Sequence, residues 1–156
     1  MRLCTQSRYG VRAVFDIAYH SGGAETLVRD ISRRQKISPR YLEQIFQKLK
    51  KAGILGSKRG PGGGYFLIKK PENITVGEIL RVTEGRMNPV PCVDGKLSDR
   101  SCERTGKCVT QVIWRGASDR LKEYFNSVTI KKLCKMAKEM GLKRELVQKL
   151  TFIEQR

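Results

Sequence analysis

Three cysteines, Cys92, Cys102 and Cys108, are the residues of this chain whose type and spacing best suit chemistry. They lie in or beside one polar stretch, 89–106, that is rich in Gly, Pro, Asp and Ser. Thiols in such a loop have no packing role, and their thiolates suit an iron–sulfur cluster, or zinc with one further ligand. Because no Cys-x-x-Cys pair is present, the spacing alone leaves both kinds of metal site open.

The number of cysteines and the lack of long apolar stretches indicate the cellular compartment of this protein. Five cysteines, an odd number, without a secretion signal argue against a disulfide framework. No stretch approaches the ~20 apolar residues of a membrane span, and the first residues lack a signal-peptide core. We therefore expect a cytoplasmic protein that does not enter the membrane.

The charge of the chain predicts a polyanionic partner. Lysine and arginine number 32 against 15 acidic residues, which gives a formal charge of +17 at pH 7. Residues 1–70 hold 15 of these basic residues and only 4 of the acidic ones. Nucleic acid is the first candidate partner, and an anionic membrane surface is the second.

The basic half has the pattern of a helix-turn-helix unit. Apolar spacing predicts one helix over about 8–20 and a short second helix that ends near Gln35. Ser38 is a typical N-cap, and Pro39 suits the first position of a third helix. That helix would bury an apolar stripe and present a polar outer face. The stripe is Leu42, Ile45, Phe46 and Leu49, and the outer face is Arg40, Glu43, Gln44 and Lys48.

A glycine-rich hairpin follows the third helix. One strand begins near 53–55 and another returns at 65–68, and the tip between them contains four glycines. A phosphate-binding glycine loop would lead into a helix, whereas these glycines lead into residues of strand type. Lys58 and Arg59 at the tip suit the negative potential of a minor groove. The fold class predicted is mainly α with a small β-hairpin, a winged helix-turn-helix domain.

The second half predicts a long helix that needs a partner surface. Thr75 caps a helix that runs from Val76 to about Glu84, and Thr129 caps the last predicted helix. Between them, a helix over about 109–128 carries a broad apolar stripe with near-heptad steps. This stripe packs on its own domain or on a second copy, and we favour an antiparallel dimer. Its two rows are Ile113, Ala117, Leu121, Tyr124 and Val128, and Trp114, Ser118, Leu121 and Phe125.

The predicted organisation has three parts. A DNA-binding domain occupies 1–85, a cysteine loop 86–108, and a dimerisation helix with a C-terminal helical region 109–156. The basic amphipathic tail over 142–156 receives no role. Paired carboxylates, a nucleophile with its base and a nucleotide loop are all missing from the sequence pattern, so an enzyme is not expected.

Several motifs resemble those of one family, the IscR-type winged-helix transcription regulators, which include IscR, NsrR, RirA and CymR. The resemblance covers about residues 1–135, and the glycine wing with the Tyr-Leu-Glu-Gln block is its most specific part. It implies that the third helix enters the major groove and that the wing arginine enters the minor groove. The motifs are 1–3, 8–10, 41–44, 59–65, 76–79, Trp114 and 118–121.

The resemblance also implies which side chains contact DNA. Their chemistry agrees, because Arg40 can bind guanine or phosphate, Gln44 can pair with adenine, and Glu43 can accept from cytosine N4. An acid on a surface that approaches phosphates weakens affinity, so Glu43 is interpreted as a specificity filter. The full predicted set is Ser38, Arg40, Tyr41, Glu43, Gln44, Lys58 and Arg59.

For the cysteines, the resemblance implies an iron–sulfur sensor. Cluster-binding relatives place three cysteines in this loop, commonly with five residues in each gap. The gap between Cys102 and Cys108 matches, and the gap that precedes it is four residues longer. We expect a homodimeric regulator with a 2Fe–2S or 4Fe–4S cluster that reports iron–sulfur status, redox state or nitric oxide. The alternative is a cluster-free regulator that responds through thiols or a protein partner, as CymR-like relatives lack these cysteines.

The fourth ligand of such a cluster is not fixed by the sequence. Gln111 stands where IscR-type relatives have a histidine, and Arg8 stands where some relatives supply an acid from the partner chain. Cys4 is a possible donor from a partner subunit or a small core residue, and Cys134 is expected in the core. His20, the sole histidine, is expected to cap its helix or to lie on the surface. An open fourth position would leave one iron accessible to nitric oxide or dioxygen.

Overall fold

The computed structural model describes residues 3–85, 88, 90–93, 102, 104 and 107–145. Over these residues the chain forms six α-helices and one antiparallel hairpin, so the predicted fold class, mainly α with a small β-hairpin, is confirmed. None of the described helices is long and apolar enough to cross a membrane. The elements are α1 Thr5–Ser21, α2 Val28–Gln35, α3 Pro39–Lys51, β1 Leu55–Lys58, β2 Gly64–Leu67, α4 Val76–Glu84, α5 Val109–Ser127 and α6 Ile130–Glu139, with 3-10 turns at Pro71–Asn73 and Pro91–Val93.

The predicted helix starts are confirmed by their caps. The Ser38 hydroxyl accepts a hydrogen bond from the Tyr41 amide at 3.3 Å, and Pro39 occupies the first turn of α3. Thr75 and Thr129 cap α4 and α6 in the same way, each with an N···O distance of 3.1 Å. Each of these helices therefore begins at the residue that its cap dictates.

The core lies where α1 meets α2, α3 and α4. The whole predicted stripe of α3, from Leu42 to Leu49, is fully buried, and it packs with apolar side chains of α1 such as Val14 and Ile17. Ile130 brings the first turn of α6 into the same core. The polar face of α3 is left on the outside as a consequence.

A buried carboxylate fastens α2 to α1. Asp16 has no exposed surface, and the Arg34 guanidinium donates to both of its oxygens at distances from 2.6 to 3.1 Å. The Gln35 amide adds a third donor at 2.8 Å. A buried charge is tolerated only when it is paired and hydrogen-bonded in this manner.

The expectation that His20 caps its helix or lies on the surface is wrong. Only 6% of the residue is exposed, because the segment after α6 covers it. Its Nδ1 accepts a hydrogen bond from the Glu145 amide at 3.0 Å, and its Nε2 lies 3.9 Å from the Asp16 carboxylate. Burial lowers the pKa of His20, and the opposing effect of Asp16 is smaller. Gly22, in the left-handed conformation, ends α1 instead.

The long helix α5 is joined to α4 at its C-terminal end. The Val76 amide donates to the Val128 carbonyl at 2.8 Å, and the Ile130 amide donates to the Ile74 carbonyl at 2.9 Å. On the same side, the Arg81 guanidinium donates to the Asn126 side chain at 2.7 Å. These bonds fix the end of α5 relative to the helix-turn-helix unit.

The broad stripe predicted on α5 divides between two surfaces. Ser118 and Val128 are buried and Phe125 is half-buried, so members of both predicted rows face the rest of the chain. Four large apolar side chains of α5 are more than half exposed and are here called the exposed row: Val109, Val112, Ile113 at 64% and Tyr124 at 63%. The predicted rows are therefore not the boundary between the covered and the exposed side of the helix.

We expect the substitution Arg34→Ala to lower the free energy of unfolding by about 3 kcal/mol, because it leaves the buried Asp16 charge without its main partner. Chemical denaturation followed by circular dichroism measures this change. Arg29→Ala, at an exposed position of the same helix, is the matched control and should change stability by less than about 0.5 kcal/mol. Equal losses in the two variants would contradict the assigned role.

Candidate nucleic-acid interface and cysteine segment

The outer face of α3 presents polar side chains at helical spacing. Arg40, Glu43 and Gln44 are all exposed, opposite the buried stripe. Gln47 is exposed one turn further on the same face and is not among the residues predicted from the sequence. Its position four residues after Glu43 is the sequence signal that places it there.

Ser38 and Tyr41 are placed differently from the other predicted contacts. The Ser38 hydroxyl is exposed and already accepts from the Tyr41 amide as the helix cap. The Tyr41 ring is half-buried and meets the Tyr9 ring edge-on, with the centroids 5.8 Å apart. These two residues therefore start α3 and hold it against α1.

The hairpin is a wing that a third segment of backbone holds in place. Its strands pair from Leu55 opposite Leu67 to Lys58 opposite Gly64. Thr26 and Tyr65 exchange both backbone hydrogen bonds at 2.9 Å, which adds a short third strand partner. At Gly64, φ is +146° and a side chain would collide with the Thr26 backbone, so this position requires glycine.

Tyr65 joins the wing to α3. Its ring packs against Phe46 with a centroid distance of 4.5 Å, and the Lys50 ammonium lies 6.0 Å from its centre. Lys50 also donates to the Ser57 hydroxyl of β1 at 2.6 Å. Burial raises the pKa of Tyr65, and the charge of Glu43 adds to this rise. Helix and wing thus form one rigid surface, with the Glu43 carboxylate on the wing side.

The two predicted cations of the wing differ in their surroundings. Lys58 is 65% exposed, and its ammonium lies 3.8 Å from the Glu25 carboxylate. An exposed ion pair at this distance contributes little to stability. Lys58 can therefore leave Glu25 and pair with a phosphate at a small cost in free energy. Arg59 is exposed at the tip itself, beyond the last paired residue of β1.

Two of the three loop cysteines lie at the start of α5. Cys92 belongs to the 3-10 turn that packs against this helix, and Cys108 is the residue that precedes its first turn. The Gln111 side-chain amide donates to the Cys92 carbonyl at 2.7 Å. Cys102 is exposed on the surface.

The surroundings of Cys108 favour its thiolate. The Thr110 hydroxyl lies 3.1 Å from the sulfur, and this hydrogen bond lowers the pKa of Cys108, with a further contribution from the Gln111 amide. Such an arrangement at a helix N-terminus favours the form of cysteine that binds metal. In contrast, burial raises the pKa of Cys134, which packs half-buried beside the core as predicted.

The described residues do not gather three His, Cys, Asp or Glu side chains into a group able to hold a metal ion. Cys4 is exposed, and its amide donates to the Glu84 carboxylate at 3.0 Å, so it does not have a core position. Gln111 is buried, with its amide directed at a backbone carbonyl. Arg8 is exposed on α1.

A wing packed on the third helix of a helix-turn-helix unit defines a winged-helix DNA-binding protein. Residues 3–136 match the Rrf2 family, described as iron-dependent transcriptional regulators, and the chain belongs to this family. It is therefore a DNA-binding transcriptional regulator and, as expected, not an enzyme.

Named relatives and solved structures agree with this assignment. The chain is 40% identical over 133 residues to the HTH-type transcriptional regulator IscR of Pectobacterium atrosepticum, a match that covers 85% of this chain and 79% of the relative. It is 41% identical to IscR of Escherichia coli (strain K12 / DH10B), again over 85% of this chain and 80% of the relative.

Two solved structures share the fold. The structure of T. potens IscR superposes with a TM-score of 0.73 at 33% identity, and covers 92% of this chain and 93% of its own. The structure of CymR, the global cysteine regulator of B. subtilis, gives a TM-score of 0.72 at 31% identity, over 87% of this chain and 98% of its own.

We expect Glu43→Ala to broaden the range of DNA sequences bound, because the carboxylate no longer disfavours bases and phosphates that it cannot pair with. Selection of binding sites from a randomised DNA pool measures this range. Glu123→Ala, at an exposed position of α5, is the control and should leave the preference unchanged. An unaltered preference in the Glu43 variant would exclude its role as a filter.

We expect Arg59→Ala to weaken DNA binding and to reduce the slope of log Kd against log salt concentration by about one for each chain bound. The loss of one phosphate or minor-groove contact per chain is the physical reason. Fluorescence anisotropy over a salt series gives the slope, with Arg120→Ala, exposed on α5, as control. A slope equal to that of the unmodified protein would show that the wing tip does not contact DNA.

Proposed function

We propose that this regulator binds its operator as a homodimer and senses iron–sulfur status, redox state or nitric oxide through a cluster held by Cys92, Cys102 and Cys108. The observation that carries the proposal is the placement of Cys92 and Cys108 at one end of α5, where Cys108 favours the thiolate. The description of the Rrf2 family as iron-dependent regulators supports it.

The residues present fit an iron–sulfur cluster in their chemistry. Such clusters are held by thiolates. The hydrogen bond from the Thr110 hydroxyl lowers the pKa of Cys108 and so favours its thiolate. Cys102, exposed on the surface, is the proposed third ligand beside Cys92 and Cys108. A bound cluster supplies electron exchange and iron that reacts with nitric oxide or dioxygen. The Gln111 side-chain nitrogen donates to the Cys92 carbonyl, so this nitrogen is not the fourth ligand.

In the proposed complex with DNA, α3 contacts the bases, and the wing contacts the backbone and the minor groove. Arg40, Glu43 and Gln44 are the proposed base-reading residues, since they share the exposed face of α3. Lys58 and Arg59 are the proposed backbone and minor-groove contacts. Ser38 and Tyr41 hold the start of α3 in place for these contacts. Ser38 caps the helix, and the Tyr41 ring packs against α1.

The exposed row of α5 supports the homodimer. Val109 is 83% exposed and Val112 is 73% exposed, and they lie on the same helix as the exposed Ile113 and Tyr124. A row of large apolar side chains on a strongly basic chain is unfavourable in water and stable against an apolar partner. A second copy that contributes the same row would give a two-fold dimer, which matches the symmetry of a palindromic operator.

Anaerobic purification tests the proposal. We expect a coloured protein with visible absorbance and iron and sulfide equivalent to one cluster per chain. Cys102→Ala and Cys108→Ala should lose the colour, whereas Cys134→Ala, which changes a half-buried core thiol, should keep it. Zinc or no metal in the anaerobic protein would overturn the proposal and favour a regulator that responds through thiols or a protein partner.

A further inference from the structure

Two hydrogen bonds attach the segment before α5 to the side of that helix. The described residues 88 and 90–93, here called the anchor segment, lie along its first half. The Ser118 hydroxyl donates to the Asn88 side chain at 2.6 Å, and the Gln111 amide donates to the Cys92 carbonyl at 2.7 Å. The two donors are seven residues apart, about 10 Å along one face of the helix.

Both donors are buried polar residues on a helix that is otherwise largely exposed. Ser118 is 1% exposed and Gln111 is 8% exposed, and they are the two residues of α5 that are fully covered. Burial of a polar side chain costs free energy unless its hydrogen bonds are made. Here both side chains direct their donors at the anchor segment, so their burial is explained by this attachment.

Gln111 acts on two cysteines at once. Its side chain donates to the carbonyl of Cys92 at 2.7 Å, and its backbone amide donates to the carbonyl of Cys108 at 3.1 Å. The Gln111 side-chain nitrogen is occupied by the Cys92 carbonyl, so the residue contacts two of the proposed ligands through hydrogen bonds.

We propose that Gln111 and Ser118 are positioning residues that clamp the anchor segment to α5. The clamp fixes Cys92 relative to Cys108, and it makes any displacement of Cys92 pull on the helix itself. The clamp stands on the contacts alone, while its role in sensing rests on the function proposed above. Gln111→Met and Ser118→Ala remove the donors and keep approximately the volume of the side chains.

The first test uses the reduced, metal-free protein, so that it does not depend on a cluster. Alkylation by iodoacetamide is followed at each cysteine by peptide mass spectrometry. We expect Gln111→Met and Ser118→Ala to accelerate alkylation of Cys92 by about fivefold, as loss of one hydrogen bond predicts, with Cys134 unchanged. Glu123→Gln, at an exposed position of the same helix, is the control. Cys92 rates equal to the control in both variants would overturn the clamp.

The second test uses the anaerobically loaded protein. We expect Gln111→Met to keep the visible spectrum of the unmodified protein and to lose iron to a chelator about fivefold faster, because Cys92 is held less firmly. A changed spectrum would overturn the proposal, since it would make Gln111 a ligand. If no cluster forms in the unmodified protein, the proposed function fails while the alkylation result still decides the clamp. Thermal melting of each variant confirms that the fold is retained.

Discussion

The buried carboxylate of Asp16 accepts hydrogen bonds from Arg34 and Gln35, and in this way it ties the first two helices of the DNA-binding unit together. This contact helps to place α3, because α3 follows α2 after a turn of only three residues. The same carboxylate lies 3.9 Å from Nε2 of His20, and Nδ1 of His20 accepts a hydrogen bond from the Glu145 backbone amide. One buried charge therefore contacts α2, which leads into α3, and His20, which the C-terminal segment covers.

A second constraint connects the cysteines to the DNA-binding surface. At the C-terminal end of α5, the Val128 carbonyl accepts a hydrogen bond from Val76, the first residue of α4. Cys92 and Cys108 lie at the N-terminal end of α5. Its 19 residues span about 28 Å, so the helix is a rigid connection between the two regions. Under the proposed function, a change at the cysteines shifts α5 as a whole and with it the spacing of two reading helices in a dimer.

The sequence was sufficient for features that short-range chemistry determines. Ser38 and Pro39 located the start of α3, the caps Thr75 and Thr129 located α4 and α6, and the glycine run located the wing. In each of these the pattern and the structure are set by the same few neighbouring residues. The family resemblance added the expected DNA grooves and cluster ligands, and the residue assignments for DNA and cluster stay predictions.

Contacts between distant residues were beyond the sequence. Nothing near His20 shows that Glu145 will cover it, and nothing near Tyr65 shows that Thr26 will pair with it. The use of Gln111 also escaped prediction, because its partner is a backbone carbonyl 19 residues earlier. Such contacts follow from tertiary packing, which places residues together without leaving a local pattern.

The most direct test of sensing through the cysteines is the affinity of one protein preparation for its operator before and after removal of the cluster. Anaerobic fluorescence anisotropy at a single salt concentration gives both Kd values, on a site obtained by selection from randomised DNA. We expect Kd to differ by at least about tenfold between the two states, within the usual range of coupling between two sites. Cys108→Ala should give the cluster-free value throughout. Equal Kd values for the loaded and stripped protein would show that a cluster does not control operator binding.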